Sequence, residues 1–340
     1  MAIKTFGKNP SGNELKKIKQ SPNYHNNSFI NLEHTRLISD TSMLPVIWKF
    51  INKPKNTIPP KPLPSVKTDL KNLNDGMIVW FGHSSYLIKI NGRNILVDPV
   101  FSGHASPFSF TTKSFAGTDV YTVEDFPVID ILIISHDHYD HLDCETIIKL
   151  KSKTKLICTS LGVASHFVYW GFDKTKIIEF DWWDHHTLSN GIELSTAPAR
   201  HFAGRTFVRN KTLWSSFILQ TSTTKIFIGA DSGYANHFKT INQKFGSFDL
   251  AILECGQYNL AWHDIHMLPE ETVQACIDLN AKVLMPVHWA KFSLSLHAWD
   301  EPIKRLVAKA AELNIKLTTP LIGEVVELNK SYPQTTWWQL

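Results

Sequence analysis

The stretch from 135 to 141, Ser135-His136-Asp137-His138-Tyr139-Asp140-His141, gathers three imidazoles and two carboxylates within six consecutive positions. Imidazole nitrogen and carboxylate oxygen are the donors that zinc and similar divalent ions take. The i, i+2 spacing lets His136 and His138 converge on one ion from a tight loop, and turns Asp140 and His141 toward a neighbouring position. With 16 histidines in 340 residues, three in six directly after an apolar run is not what composition alone produces. Three more donors stand apart: His201 in Pro-Ala-Arg-His, Asp231 in Gly-Ala-Asp-Ser-Gly, and His288 in Pro-Val-His-Trp. Each follows a strand-like apolar run. Taken singly they read as structural histidines or a turn aspartate; taken jointly with the cluster they read as the rest of a metal cage.

The elements that must carry these groups follow from periodicity. Strands are predicted over 77–81 and 86–90, with Asn91-Gly92 supplying a type I′ hairpin turn into 95–98. The run 129–134, apolar but for Asp130, predicts a buried strand that delivers the His/Asp cluster at its end, where rigid scaffolds present reactive groups. Further strands are predicted over 176–180, 192–197 (after a second Asn-Gly), 213–220, 225–230, 248–253 and 283–287. Helices are predicted after His141, over 269–279 with Pro269 in the first turn, and over 298–313. Strands come first in runs and are later interleaved with helices, which suits two packed sheets with helices outside, an αββα sandwich of the α/β (α+β) class. The change of character near Met77 divides the chain into an N-terminal extension, 1–75, packed on a core domain, 76–340.

Composition sets the bounds. A content of 43% hydrophobic and 19% charged residues is that of a globular chain able to bury a large core. The four cysteines, at 144, 158, 255 and 276, form no C-x-x-C pair and read as buried thiols in a reducing compartment. No apolar run of transmembrane length and no signal-peptide core is visible, so a cytoplasmic protein is expected. Residues 1–72 carry 12 Lys/Arg against 4 Asp/Glu, and the remainder 23 against 27. That basic arm could rest peripherally on an anionic membrane or lie as a solvated strap on the domain. No basic helix or aromatic-interleaved motif accompanies it, so nucleic acid is not an expected partner. Nothing in the sequence sets an oligomeric state.

The ordered pattern of H-x-H-x-D-H followed by His, Asp and His at strand ends resembles the metallo-β-lactamase-fold hydrolases over about residues 77–330. That resemblance implies two divalent metal ions, Zn2+ first, with Mn2+ or Fe2+ accepting the same ligands. His136, His138 and His201 would hold one ion, Asp140, His141 and His288 the other, with Asp231 bridging both and Asp98 supporting the ligand loop from behind. A narrower resemblance, to the N-acyl-phosphatidylethanolamine phospholipase D branch, rests on WFGHSSYLIKINGRNILVDPVFS, SHDHYDHLD, GADSGY and HMLPEE, and the opening FGKNPSGNELKKIKQSPNY is similar to bacterial members. It places His83 and His266 near the ions, His266 as a substrate-binding or proton-handling residue. The mammalian enzyme has Asn where this chain has Asp137, a position that varies in the superfamily.

The implied reaction is attack by a metal-activated hydroxide, oriented by Asp231, on a phosphodiester phosphorus or on an ester or lactone carbonyl. The leading expectation is a phosphodiesterase acting on a phospholipid or a similar small diester. A lactonase or carboxylic-ester hydrolase is the first rival, an RNA-processing nuclease the second, and a sensor that has lost its chemistry the third. No G-x-S-x-G elbow is present, and Ser84, Ser85 and Cys255 are given no catalytic part. Trp262, Trp289 and Phe292 are expected to shape the substrate site.

Overall fold

The structure, a computed structural model, describes residues 2–38 and 44–340. Two sheets face each other. One has seven strands: β3 (Met77–Trp80), β4 (Tyr86–Ile90), β5 (Arg93–Val97), β6 (Ile129–Ile134), β7 (Thr154–Ser160), β8 (Ile177–Phe180) and β15 (Val325–Glu327), in the order β15-β3-β4-β5-β6-β7-β8. The other has six: β9 (His185–Thr187), β10 (Glu193–Pro198), β11 (Ser215–Gln220), β12 (Lys225–Ile228), β13 (Leu250–Glu254) and β14 (Leu284–Val287), in the order β14-β13-β12-β11-β10-β9. Helices α4 (Cys144–Leu150) and α5 (Ala164–Tyr169) cover the first sheet, and α6 (His237–Phe245), α7 (Pro269–Asp278) and α8 (Glu301–Glu312) cover the second. This is the αββα sandwich.

The apolar runs explain why both faces of the first sheet are dry. Successive side chains of a strand point to opposite faces. Ile88, Ile95, Ile131 and Ile133 join the inter-sheet core with Leu194, Phe217 and Leu219, while their neighbours Leu87, Leu96, Leu132 and Ile134 pack with Ile147, Leu150 and Phe167 of the helices. A strand buried on both faces reads as a continuous hydrophobic run rather than an alternation. Asn91 (φ 48°) and Gly92 (φ 71°) make the tight β4–β5 connection in the left-handed region.

Chain direction decides where the reactive groups gather. Strands β5 and β6 are parallel, as are β12, β13 and β14, and β10 runs with β12 across the antiparallel β11. The C-terminal ends of these strands therefore share one edge of the sandwich.

Two differences from the sequence reading have physical causes. Strand β7 and helices α5 and α6 are not singled out by it: β7 begins with the polar Thr154-Lys155, and α5 and α6 are only six and nine residues long. The N-terminal region has more regular structure than its composition suggests: α1 (Ala2–Thr5), α2 (Gly12–Ile18), a hairpin of β1 (Tyr24–His25) and β2 (Ser28–Phe29), and α3 (Leu44–Ile51). Ile18, Tyr24 and Phe29 are buried against Leu161, Trp182 and Trp214, so tertiary contacts rather than local periodicity order this arm. All four cysteines are free and buried. Among the described residues no helix is long and apolar enough to cross a membrane.

Candidate metal centre

The loop after β6 carries His136, His138, Asp140 and His141; His201 follows β10, Asp231 follows β12 and His288 follows β14. The fold brings all seven to one place in two adjoining clusters, with a third group of Asp231, His266 and His288 beside them. Ligand atoms of His136, His138, His201 and Asp231 lie within 4.8 Å of one another, and so do those of His83, Asp140, His141 and His288.

In the first cluster three ring nitrogens converge. His136 Nε2 is 2.9 Å from His138 Nδ1, which is 3.3 Å from His201 Nε2. The far nitrogens are occupied: His136 Nδ1 lies 3.0 Å from Ser135 Oγ, and His201 Nδ1 2.9 Å from the Ile265 carbonyl. Burial above all holds His136 and His201 well below the ordinary histidine range, and lowers His138 too. Neutral rings aim their lone pairs at a common point, an arrangement that a cation relieves.

The second cluster makes the same case through unsatisfied atoms. His141 Nδ1 donates to Asp98 Oδ2 at 2.8 Å, which leaves Nε2 buried without a hydrogen-bond partner. Nε2 of His288 and Oδ1 of Asp231 are likewise buried and unpartnered. Each such atom costs about 1–3 kcal/mol unless something satisfies it. Burial pushes His141 down, but the carboxylates of Asp231 and Asp140 outweigh it and raise the ring well above its usual range. The cage therefore attracts positive charge. The residues present fit divalent metal ions, and their chemistry does not single out one metal.

Asp231 lies between the clusters. Its Oδ1 is 3.2 Å from His141 Nε2 and 3.2 Å from His288 Nδ1, while Oδ2 is 3.9 Å from His136 Nε2 and 3.7 Å from His201 Nε2. One oxygen thus faces each set.

The supporting residues are specific. Asp98 takes Ser135 N–H on Oδ1 at 2.8 Å, and Ser135 Oγ–H (2.6 Å) and His141 on Oδ2. His83 Nε2 is 2.9 Å from Asp140 Oδ2, and its ring packs 4.0 Å from that of His288. The backbones of the two are tied reciprocally with Trp289: His83 N–H donates to the Trp289 carbonyl and His288 N–H to that of His83, both at 2.9 Å. Asp98 (φ 40°), His83 (φ 52°) and His288 (φ 66°) all adopt the left-handed region, uncommon for residues other than glycine although Asp and His enter it more readily than most. Such strain, of order 1–3 kcal/mol a residue, concentrates where function fixes a conformation. His266 stands at the rim: Nδ1 is 2.7 Å from Glu254 Oε2, and the ring lies 5.0 Å from that of His201. Burial pushes the Glu254 carboxyl up to about 7; burial opposes charge on His266 as well, but Glu254 outweighs it and raises the imidazole to about 9.

Two participants escape the sequence reading. Glu254 ends β13, at the same edge as the other donors, and that shared strand-end position is the signal that could have found it. Ser84 Oγ lies 3.0 Å from His288 Nδ1 and orients that ring; no motif announces it. Conversely, Trp289 does not shape the cleft: it is buried, stacked on Trp80 and Trp337, whereas Trp262 lines the cleft and Phe292 packs behind His83. The cleft, about 320 Å³, is lined by His138, Asp140, His201, Asp231, His266 and His288 together with Leu37, Ile38, Phe202, Trp262 and Leu294.

Residues 93–289 match the beta-lactamase superfamily domain. An uncharacterized protein of Mycobacterium tuberculosis is 34% identical over 330 residues, covering 95% of this chain and 88% of that one. The N-acyl-phosphatidylethanolamine-hydrolyzing phospholipase D 1 of Caenorhabditis elegans is 28% identical over 289 residues, covering 78% of this chain and 80% of that one. Igni18, a metallo hydrolase from the archaeon Ignicoccus hospitalis, shares the fold with a TM-score of 0.57 at 18% identity, covering 74% of this chain and 97% of that one. With a match over more than half its length and a His/Asp cage at the strand ends, the chain belongs to the metallo-β-lactamase superfamily of metal-dependent hydrolases.

Proposed function

We propose that the chain is a phosphodiesterase of phospholipase D type, acting on N-acyl-phosphatidylethanolamine-like phospholipids at an anionic membrane surface. The C. elegans relative's name supplies the substrate class. The observation that carries the reading is a set of exposed apolar side chains next to the metal cleft.

These side chains come from separate segments. On α3, Leu44, Trp48 and Ile51 are 76%, 65% and 76% exposed and fall at i, i+4 and i+7, one stripe of the helix. The helix is joined to the cleft through Phe50, whose ring lies 5.9 Å from that of the cleft-lining Trp262. Leu260, two residues from Trp262, is exposed as well. Phe207, two residues from the cleft-lining Arg209, is fully exposed, and the Arg209 guanidinium covers Phe202 at 5.1 Å. Large apolar side chains gathered in this way mark a contact with protein or lipid. Exposed Lys49 and Lys55 flank the stripe, a combination that suits an anionic bilayer.

His136, His138 and His201 would hold one divalent ion and Asp140, His141 and His288 the other, and such ions, when bound, would supply hydroxide at neutral pH and offset the charge that develops on phosphorus. Asp231 offers one oxygen to each cluster and so fixes their relative position. His266, held through Nδ1 by Glu254, keeps Nε2 free to give a proton to the leaving alkoxide. The water oxygen joins phosphorus, the P–O bond to the headgroup alcohol breaks, and the alcohol leaves with the proton from Nε2. The products are a phosphatidate and an N-acylethanolamine.

The test offers metal-loaded protein a chromogenic phosphodiester and a chromogenic lactone side by side, then N-acyl-phosphatidylethanolamine in vesicles. Release of phosphatidate from the vesicles is expected. Turnover of the lactone alone would replace this reading with a lactonase.

A further inference from the structure

We infer that the N-terminal arm, residues 4–31, is a working part of the cage for one ion only, the one among His136, His138 and His201. The inference rests on the metal reading above and goes beyond it, since it assigns ion retention to a segment outside the region matched by the superfamily domain.

Two separate grips connect the arm to these three histidines. The first acts on Asp137, which lies between His136 and His138. Its buried carboxylate accepts Gly204 N–H at 2.6 Å on one oxygen, and Thr212 Oγ–H at 2.8 Å and His166 Nε2–H at 3.1 Å on the other. The other nitrogen of His166 is closed by the arm, because Lys8 N–H donates to Nδ1 at 3.0 Å. That bond fixes the tautomer whose Nε2 proton faces Asp137. Beside it, the buried Arg205 guanidinium joins the arm to the loop directly. It donates to the Thr5 carbonyl through Nε and Nη2 (3.1 and 2.7 Å), and through Nη1 to the Asp137 and Leu142 carbonyls, both at 2.7 Å. Trp170, 5.5 Å from that guanidinium, holds the Lys4 carbonyl through Nε1 at 2.9 Å.

The second grip is on His201. Asn31 accepts His201 N–H on Oδ1 at 3.1 Å and donates from Nδ2 to the His201 carbonyl at 2.8 Å. Trp214 Nε1 holds the same Asn31 oxygen at 3.2 Å. Both backbone groups of one ligand are thus clamped by one side chain of the arm.

The second cluster is braced differently. Asp140, His141 and His288 rest on His83, Asp98 and Ser84, which belong to strand ends of the seven-stranded sheet. Among the described residues, the arm's hydrogen bonds reach His201 and the supports of Asp137, and none reaches His83, Asp98 or Ser84. Partners that orient metal ligands change affinity by roughly 10–100-fold, so loosening the arm should weaken one ion by about tenfold or more and leave its neighbour in place.

Two variants loosen the two grips independently without touching a ligand. Gly7 has φ 68°, and a Cβ there would lie 2.1 Å from His166 Nδ1, so Gly7→Ala displaces the Lys8 contact. Asn31→Ala removes both bonds to His201. The full chain is titrated with Co2+ alone, followed by its visible absorption. The step belonging to each cluster is identified by its loss in His201→Ala or in Asp140→Ala. Both arm variants are expected to weaken the step lost in His201→Ala, and to speed release from that position to a chromophoric chelator. Reciprocally, in the wild-type chain the ion should slow amide exchange at Lys8 and His201, because linkage acts in both directions. This readout needs no variant to fold. Unchanged affinity in both variants, a shift confined to the step lost in Asp140→Ala, or exchange at Lys8 indifferent to metal would each overturn the inference while leaving the metal reading intact. A wild-type chain that binds no Co2+ would overturn both.

Discussion

Replacing Asp98 by Asn isolates what one supporting carboxylate contributes. The change preserves size, and the amide oxygen can still accept Ser135 N–H in place of Oδ1. The new NH2 group then takes the place of Oδ2, where Ser135 Oγ–H and His141 Nδ1–H both donate, at 2.6 and 2.8 Å. Two donors now face each other across 2.8 Å, and His141 can escape only by moving its proton to Nε2, the nitrogen that must stay bare to bind an ion. A hydrogen bond to a charged group is worth about 1.5–3 kcal/mol, and each 1.4 kcal/mol is about tenfold in affinity. Asp98→Asn should therefore weaken metal at the Asp140/His141/His288 cluster by roughly 10–100-fold, within the range found for residues that support ligands. The assay is metal stoichiometry after dialysis against a graded chelator buffer, paired with turnover of a chromogenic diester. Activity should return at high metal concentration with a near-normal kcat, because no atom that touches substrate has changed. An Asp98→Asn protein that keeps both ions at wild-type affinity would refute the tautomer argument.

Other expectations follow from the same geometry. Asp231→Ala strips an oxygen from each cluster, so it should cost more than the roughly 10–100-fold of a supporting residue and leave one ion or none by elemental analysis; a variant with wild-type turnover would exclude the bridging role. Glu254→Gln removes the carboxylate that holds His266 up at about 9, so the imidazole should lose its proton at lower pH and the alkaline limb of the kcat profile should move toward neutrality; an unmoved limb would take His266 out of proton transfer. Trp48→Glu and Ile51→Glu should each weaken sedimentation with anionic vesicles by about tenfold or more, since burying such a side chain is worth about 1.5–3 kcal/mol, while turnover of a soluble diester stays unchanged. Trp289→Ala should lower unfolding stability by about 3–5 kcal/mol in denaturant titration, the cost of opening a cavity beside Trp80 and Trp337.

What could be read in the sequence, and what could not, divides along a physical line. His136, His138, Asp140 and His141 are conspicuous because they follow at once on Ile131–Ile134, which burial on two faces keeps apolar. His201, Asp231 and His288 stand out in a similar way, each a polar group just past the apolar end of its strand: Ala197-Pro198, Phe227-Ile228 and Pro286-Val287. Glu254 satisfies that criterion too, and its strand, β13, lies between two that carry donors. Helix α3 is obscure for the opposite reason: Leu-Pro-Val-Ile-Trp-Lys-Phe-Ile is apolar almost throughout, so no polar face sets its period, and its exposed stripe appears only when Phe50 is seen against Trp262. Least legible of all are the contacts of the arm. Lys8 meets His166 across 158 positions and Thr5 meets Arg205 across 200, through backbone groups that every residue possesses. A side chain placed at a strand end leaves a mark in local pattern. A carbonyl that closes on a distant guanidinium leaves none, so a ligand loop can depend on residues whose identity shows nothing of the dependence. Gly7 is the exception: its positive φ and its closeness to His166 exclude a Cβ. One methyl group at that position is therefore a sharper probe of the arm than its removal, which would also expose the apolar surface beneath Ile18, Tyr24 and Phe29.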